Sequence, residues 1–222
     1  MLKRKFLILQ LIMSIFIFLA TIMFFTKIIS NFKPLYYYDV VNLNVEQDSG
    51  LDIATIKTNY SYVINFLNES SPSDFTLPTL TSSTDAKIHF FEVHKIFAFM
   101  NYFLYFSLLF IIISIIITIK NKTYLYLKIS GISLMALPLI LIPILLTNFT
   151  EYFDDFHKIL FRNNFWLFDP KTDPIILILP ESFFLHCLII IVSLSVIFGL
   201  ILYILYRIIH KKIKYSYSPK YR

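Results

Sequence analysis

The sequence predicts an all-helical (all-α) membrane protein with four transmembrane helices, both termini in the cytoplasm, and a small extracellular cap formed by two loops. Two observations carry this prediction. First, 57% of the 222 residues are hydrophobic and only 15% are charged, whereas a soluble domain has roughly 45–50% apolar and about 25% charged residues. Second, four apolar stretches approach or exceed the roughly 20 helical residues that cross a bilayer: residues 6–25, 96–119, 129–146 and 183–206.

The distribution of charge orients these spans. All 14 Asp and Glu residues lie in two segments, 26–95 and 147–182. The first five residues, the loop 120–128 and the tail 207–222 contain basic residues and no acidic residue. Basic residues mark the cytoplasmic side of a membrane protein, so we expect the two acidic segments outside the cell. The flanks of the spans therefore explain the net charge of +6, and we expect no nucleic-acid partner.

The first external segment has the content of a partly folded cap. Residues 36–45 are rich in β-branched and aromatic side chains, which favours a short strand. The residues Ser49-Gly50-Leu51-Asp52 form a helix-start signal, and apolar residues then recur at helical spacing between 53 and 67. The prolines and hydroxyl side chains of residues 70–84 indicate a loop.

The second external segment predicts an amphipathic helix. Thr150 is suited to cap its start. One face then carries five aromatic, aliphatic or histidine side chains at helical spacing: Phe153, Phe156, His157, Leu160 and Phe161. We expect the two external segments to pack together through their apolar faces as a cap on the membrane.

The composition excludes several kinds of catalytic site. The three glycines lie far apart, which excludes a glycine-rich phosphate loop and a G-x-S-x-G nucleophile elbow. The single Cys187 excludes an internal disulfide and a multi-cysteine metal site. His89 and His94 match neither H-E-x-x-H nor H-x-x-E-H, so a metal site would need His157 as well. We expect no metal and no cofactor.

Two histidines remain as candidates for chemistry. His89 and His157 both lie in the external segments near predicted spans, among many aromatic residues. Histidine takes up and returns a proton near neutral pH, and an aromatic-lined site at the bilayer surface suits a lipid substrate. The alternative for each is a structural histidine bonded to a backbone carbonyl. His186, at the outer end of the fourth span, is expected to face a neighbouring helix.

Several short motifs, in this order, resemble the lipoprotein intramolecular transacylase family of Gram-positive bacteria. They are NY at 59–60, LP at 77–78, SS at 82–83, IHFFEV at 88–93, FH at 156–157, NFWLFDPKTDPII at 164–176 and LPESFF at 179–184. The resemblance covers nearly the whole chain. One departure is His94, where the family's pattern has lysine, so His94 is a weaker candidate than His89.

The resemblance implies an enzyme that moves the sn-2 acyl chain of a diacylglyceryl-modified lipoprotein onto the amine of its own N-terminal cysteine, giving the lyso-form. It assigns catalysis to His89 and His157. We expect the substrate to contact Phe90, Asn164, Trp166 and Asp169. Because the attacking amine belongs to the substrate, the enzyme needs acid–base groups and an oxyanion donor but no nucleophile of its own.

A second function remains open on sequence grounds. In this alternative, the protein is a non-catalytic integral membrane protein whose cap binds a partner or a lipid. The sequence also leaves open which histidine is the base and which oligomeric state the protein adopts. A transporter is disfavoured, because the predicted spans carry almost no ionisable residue beyond His186.

Overall fold

In the computed structural model, which describes residues 2–72 and 74–216, all regular structure in these ranges is helical. The prediction of an all-helical chain is confirmed for this part of the protein. In chain order the helices are α1 (Leu2–Asn31), α2 (Lys33–Asn42), α3 (Val45–Ser49), α4 (Ile53–Asn68), α5 (Thr84–Lys120), α6 (Leu125–Thr147), α7 (Phe149–Phe161), α8 (Ile175–Ile178) and α9 (Glu181–Ser216).

Three of the described helices are long and apolar enough to cross a membrane. Their candidate spans are Phe6–Asn31, Thr84–Lys120 and Glu181–Ile213, with 26, 37 and 33 residues. At about 1.5 Å per residue, each exceeds a hydrocarbon core of about 30 Å. In α6, Leu125–Ala136 is a shorter apolar stretch. The protein is therefore a multi-pass membrane protein, and a fourth crossing over residues 129–146 stays a prediction.

Two long helices extend beyond the predicted spans. Helix α5 begins at Thr84, inside the predicted external segment 26–95. Helix α9 continues to Ser216, so the beginning of the predicted tail 207–222 is helical. Residues 217–222 of that tail lie outside the described residues.

The chain divides into two compact units. The first unit comprises Met1–Phe25, Tyr102–Ile144 and Ile190–Arg222. Helices α6 and α9 approach closely here, because a Cβ atom placed on Gly131 would lie 2.7 Å from the carbonyl oxygen of Gly199. Glycine at both positions allows the two backbones to touch, as small residues do between membrane helices. The core of this unit consists of Met13, Ile17, Tyr126, Leu127, Leu134 and Leu202.

The second unit comprises Thr26–Asn101 and Leu145–Ile189 and has an aromatic core. Tyr36 on α2 stacks on Tyr60 of α4 with ring centroids 3.5 Å apart. The Tyr36 hydroxyl donates a 2.6 Å hydrogen bond to the carbonyl of Ile178 at the end of α8. These contacts join three short helices around two fully buried rings. They also hold in place the N-terminal part of α5, which packs on the same core through buried Phe90.

The predicted strand at residues 36–45 is wrong, because this segment is helical in α2 and α3. Pro34 occupies the first turn of α2, where its fixed φ and missing N–H are tolerated. Tyr36, Asp39 and Val40 are buried, with the three- and four-residue spacing of one helix face. Packing of that face outweighs the strand preference of Tyr and Val, since β-propensity depends strongly on context.

The helix predicted after Ser49-Gly50-Leu51-Asp52 is confirmed, with Asp52 rather than Ser49 as its N-cap residue, and the predicted start of a second helix is wrong. Asp52 caps α4, and its Oδ1 accepts a 2.9 Å hydrogen bond from the backbone N–H of Thr55. Helix α7 begins at Phe149 with Asn148 as its N-cap residue, so Thr150 lies inside the helix. The Thr150 hydroxyl instead donates to Glu181 Oε2 at 2.7 Å, at the start of α9. This bond to a distant residue competes with the local cap, and sequence spacing does not reveal it.

Candidate active site

His157 is held on α7 by a hydrogen bond within its own helix. Its Nδ1 lies 2.7 Å from the carbonyl oxygen of Phe153, four residues earlier. A carbonyl oxygen only accepts, so Nδ1 carries the proton and donates. In the neutral ring, Nε2 is then left with its lone pair. The sequence left open that His157 is a structural histidine bonded to a backbone carbonyl, and this bond is indeed present. The bond uses only Nδ1, however, so Nε2 is still able to act as a base.

Partial burial keeps His157 in the basic form. Burial lowers the pKa of His157 below its ordinary value of 6.5, because desolvation disfavours the imidazolium ion. The hydrogen bond to Phe153 and the carboxylates of Asp154 and Glu181 oppose this effect without overcoming it. At neutral pH the ring is therefore mainly unprotonated and able to accept a proton.

His89 lies in the second turn of α5 and is nearly covered, with 7% of its surface exposed. The start of α5 is held by Asp173, whose Oδ1 accepts a 2.6 Å hydrogen bond from the backbone N–H of Ser83. Aromatic rings surround His89, with Phe161 at 4.6 Å and Phe168 at 5.5 Å between centroids. In the described structure its Nδ1 is buried without a hydrogen-bond partner. Such a nitrogen is costly unless a substrate supplies the partner.

The fold brings the two predicted histidines together although 68 positions separate them in the chain. Their ring centroids lie 6.0 Å apart, at an angle of 37°. Phe161 contacts both rings, at 4.6 Å from His89 and 5.7 Å from His157. Among the described contacts, no hydrogen bond joins the two histidines directly. Both rings are thus close enough for one substrate group to contact each.

Trp166 forms one wall of the site. Its ring lies 4.9 Å from that of His157 and is inclined by 30°. Its indole N–H donates to the backbone carbonyl of Asn163 at 2.9 Å. The Asn163 side-chain oxygen accepts from the backbone N–H of Phe165 at 3.1 Å, which closes a tight turn after α7. Asn163 therefore fixes the indole that packs on the candidate base.

Glu92 links this turn to the helix that carries His89. The Asn163 side-chain amide donates to Glu92 Oε1 at 2.9 Å and to the carbonyl of Phe161 at 3.2 Å. The other Glu92 oxygen, Oε2, is buried and has no partner in the described structure. Sequence reasoning missed both Glu92 and Asn163 as site residues. The available signal was spacing, since Glu92 follows His89 by three positions on one helix.

The other predicted substrate contacts are placed differently. Phe90 is buried in the aromatic core, where it stacks on Phe75 at 4.2 Å. Asn164 and Asp169 are exposed on the segment after α7. The Asp169 carboxylate accepts from the backbone N–H of Lys171 at 2.9 Å, so it shapes a turn. Two of the four predicted contacts touch a candidate histidine. Trp166 lies 4.9 Å from His157, and Phe90 lies 5.8 Å from its neighbour His89, between ring centroids.

Two further histidines have structural partners. His94 Nε2 donates to the carbonyl of Glu69 at 2.8 Å. His186 Nδ1 lies 3.0 Å from both carboxylate oxygens of buried Asp39 on α2, which agrees with the prediction that it faces a neighbouring helix. Among the described residues, no three His, Cys, Asp or Glu side chains are grouped as metal ligands would be.

Comparison with protein families identifies the family of this chain. A family model described as lipoprotein intramolecular transacylase Lit matches residues 11–184. The chain belongs to this family. As a member of the lipoprotein intramolecular transacylase family it is a membrane-integral enzyme of the acyltransferase class, which confirms the resemblance seen in its motifs. No match was found among curated proteins.

Solved structures of one family member resemble the chain closely. The membrane-integral lipoprotein intramolecular transacylase Lit from Bacillus cereus is 32% identical, with a TM-score of 0.91, and the match covers 96% of this chain and 99% of that one. Two variants of the Bacillus cereus protein, with one histidine replaced by arginine or by alanine, match with TM-scores of 0.85 and 0.84. Each is again 32% identical, with 96% of both chains covered.

Proposed function

We propose that this protein moves the sn-2 acyl chain of a diacylglyceryl-modified lipoprotein onto the amine of the same lipoprotein's N-terminal cysteine, with His89 and His157 as acid–base catalysts. Family membership supports the class of reaction. The observation that carries the catalytic assignment is the pairing of the two rings at 6.0 Å. The free Nε2 of His157 supplies the base that this pairing needs.

Converting the substrate's ammonium group to an amide N–H removes two protons from nitrogen, of which one reaches the leaving glycerol oxygen and one is released to solvent. The substrate's α-amine has a pKa of about 8 and is mostly protonated at neutral pH. In our proposal, His157 Nε2 accepts its proton, and the amine nitrogen attacks the ester carbonyl carbon. The attacking nitrogen then loses its second proton, the C–O bond to glycerol breaks, and the departing oxygen takes up one proton. The products are an amide on cysteine and a free sn-2 hydroxyl.

We assign His89 to the ester oxygens of the substrate, the carbonyl oxygen and the leaving glycerol oxygen. Its ring lies 6.0 Å from that of His157, and its buried Nδ1 lacks a partner in the described structure. A neutral histidine stabilises a developing oxyanion through its N–H, and it relays the second amine proton to the leaving alkoxide by accepting at one ring nitrogen and donating from the other. The two histidines thus divide the roles that sequence reasoning left open.

Orientation supplies much of the remaining rate enhancement. The nucleophile and the ester belong to one substrate, and well-oriented intramolecular reactions reach effective molarities of roughly 10⁵–10⁸ M. The aromatic wall of Phe161, Phe168 and Trp166 suits an acyl chain. We propose that exposed Asn164 and Asp169 contact the polar part of the substrate. Phe90 supports His89 from the adjacent position on α5, with ring centroids 5.8 Å apart.

The proposal includes a membrane arrangement. We place the acidic segments 26–95 and 147–182 outside the cell as a cap and both termini inside, with four crossings. The support is the distribution of charge, since every Asp and Glu lies in those two segments. A lipoprotein substrate at the outer surface then meets the histidines on the same side of the membrane.

Single replacements of the two histidines test the catalytic assignment. Purified His89→Ala and His157→Ala variants are given diacylglyceryl lipopeptide, and the lyso-form product is measured by mass spectrometry. Each is expected to lose at least about a hundredfold in rate, in the range of acid–base catalysis. The matched control is His94→Lys, which changes a histidine of the same helix to the residue of the family's pattern. Undiminished product formation by both alanine variants would refute the assignment.

The same assay separates the alternative function. A non-catalytic membrane protein whose cap binds a partner or a lipid predicts no lyso-form product from the wild-type protein. It also predicts unchanged lipoprotein acylation when the gene is expressed in a host that lacks the activity. Product formation by the wild type and not by the histidine variants excludes this alternative.

A further inference from the structure

Helix α7 has a large apolar face that is exposed in the described structure. None of the residues of this helix is buried. Its most exposed apolar side chain is Ile159, with 75% of its surface accessible. The apolar face consists of four exposed side chains: Tyr152, Phe156, Ile159 and Leu160. Contiguous apolar patches of this kind mark places where a protein meets another apolar surface.

The side chains of α7 form three strips along the helix. One strip faces the candidate active site and consists of Phe153, His157 and Phe161. At about 100° per residue, the apolar face occupies about 100° of arc directly beside this site strip. Beyond the apolar face lies a strip of exposed charged side chains, Glu151, Asp155 and Lys158. An apolar face next to a charged face is the pattern of a helix that lies in a membrane interface.

Both ends of α7 contact helices that are long and apolar enough to span a membrane, and both contacts lie within the second unit. At its start, the Thr150 hydroxyl donates to Oε2 of Glu181, the first residue of the candidate span Glu181–Ile213. At its end, the ring of Phe161 lies 4.6 Å from that of His89, in the candidate span Thr84–Lys120.

The level of these contacts along the two spans is close to the hydrocarbon core. The predicted apolar stretch 183–206 begins two positions after Glu181, and the stretch 96–119 begins seven positions after His89. At about 1.5 Å per helical residue, these offsets are about 3 Å and about 10 Å. A helix in the membrane interface buries its apolar face about 5–10 Å into the boundary between headgroups and acyl chains. Helix α7 therefore lies at the level where lipid already surrounds α5 and α9.

We propose that α7 lies in the membrane interface with its apolar face covered by lipid acyl chains. The charged strip then remains in water, where the ion pair between Lys158 and Asp155, at 3.1 Å, is exposed on both sides. The lipid borders directly on the site strip, because Leu160 and Phe161 are neighbours on the helix. Lipid is the occupant that continuity with the two spans specifies.

Quenching of single tryptophans tests the proposal. Trp166 is the single tryptophan of the chain, so a Trp166→Phe protein accepts one new probe at a time. Ile159→Trp places the probe on the apolar face, and Lys158→Trp places it on the charged strip as the matched control. The full-length protein is reconstituted in phosphatidylcholine vesicles with or without brominated acyl chains, which quench on contact. Acrylamide serves as the quencher from the water phase.

The probe at position 159 is expected to respond to lipid. Brominated lipid should quench it several-fold more strongly than the probe at position 158, and acrylamide should quench it less. Its emission should also lie at shorter wavelength. Phe156→Trp gives a second probe on the apolar face and should behave like Ile159→Trp, and circular dichroism identifies the variants that fold.

Three outcomes would overturn the proposal. The first is equal quenching of the probes at 158 and 159 by brominated lipid. The second is a probe at 159 that is shielded from both quenchers until the protein is diluted with lipid, which indicates a second copy of the chain. The third is shielding from acrylamide only after diacylglyceryl lipopeptide is added, which indicates that substrate covers the face. None of these measurements involves turnover, so their outcome is independent of the proposed acyl transfer.

Discussion

The hydrogen bond between Glu92 and Asn163 is predicted to set the geometry of the site. It joins α5, which carries His89, to the turn that fixes Trp166 against His157. Replacing Glu92 by alanine removes the acceptor from Asn163 and leaves the amide with only its bond to the helix end. We expect lower turnover with both histidines still present, because the rings lose their common support.

The expected magnitude follows from the type of bond. Asn163 donates to a carboxylate oxygen at 2.9 Å, and a hydrogen bond to a charged group contributes about 1.5–3 kcal/mol. At about 1.4 kcal/mol per factor of ten, Glu92→Ala should lower kcat/KM by about tenfold to about a hundredfold. Glu92→Gln keeps a neutral carbonyl acceptor that is worth about 1 kcal/mol. Glu92→Gln therefore loses only about 0.5–2 kcal/mol, which should lower kcat/KM by about twofold to about thirtyfold.

The assay compares rate and stability in the same preparations. Lyso-form product is measured by mass spectrometry as a function of lipopeptide concentration, and unfolding temperature is measured in detergent. Asp85→Asn, in the exposed first turn of α5, is the control. The double variant of Glu92 and Asn163 should lose little more than the worse single variant, because both changes break one bond. Wild-type activity of Glu92→Ala, or equal losses for the alanine and glutamine variants, would refute the reasoning.

Three further predictions concern other parts of the molecule. Because burial lowers the pKa of His157 below 6.5, its NMR titration should have a midpoint below 6.5. The folded state then favours the neutral ring, so the contribution of His157 to the free energy of unfolding is constant above pH 6.5. This contribution is lost as the pH falls through the folded-state pKa. An NMR titration midpoint at or above 6.5 would contradict this prediction. Tyr36→Phe leaves the Ile178 carbonyl without its 2.6 Å donor and should cost about 1–3 kcal/mol, seen as a lower unfolding temperature with an unaltered helical circular dichroism spectrum. Gly131→Ala places a Cβ atom 2.7 Å from the Gly199 carbonyl oxygen. It should destabilise the first unit by about 1–3 kcal/mol, and an unfolding temperature equal to that of the wild type would show that the two helices separate freely.

Local signals predicted several elements of the structure correctly. The apolar periodicity from residue 53 and the carboxylate of Asp52 are properties of neighbouring residues, and α4 begins directly after that cap. Long apolar stretches likewise specify helices by themselves, since backbone groups in a membrane must be satisfied within the helix. The motifs around His89 and His157 resemble the family to which the chain belongs.

Non-local contacts explain where local signals failed. Residues 36–45 have side chains that suit a strand, but Tyr36 becomes buried against Tyr60 and bonded to Ile178, which favours a helix face. Thr150 is a good capping residue by type, yet its hydroxyl bonds to Glu181. In both cases the deciding partner lies far away in the chain, so no window of sequence contains it.

The sequence by itself determined the membrane class, the helical character of the long apolar segments, the segregation of acidic residues and the two histidines worth testing. Only the tertiary structure decided that these histidines lie 6.0 Å apart, that His157 keeps Nε2 as a base, and that Glu92 and Asn163 support them. The physical reason is that hydropathy and charge act on each segment separately. The tautomer of His157, the burial of His89 and the hydrogen bond between α5 and the turn after α7 depend on segments that are distant in the chain. They therefore arise only when these segments are packed together.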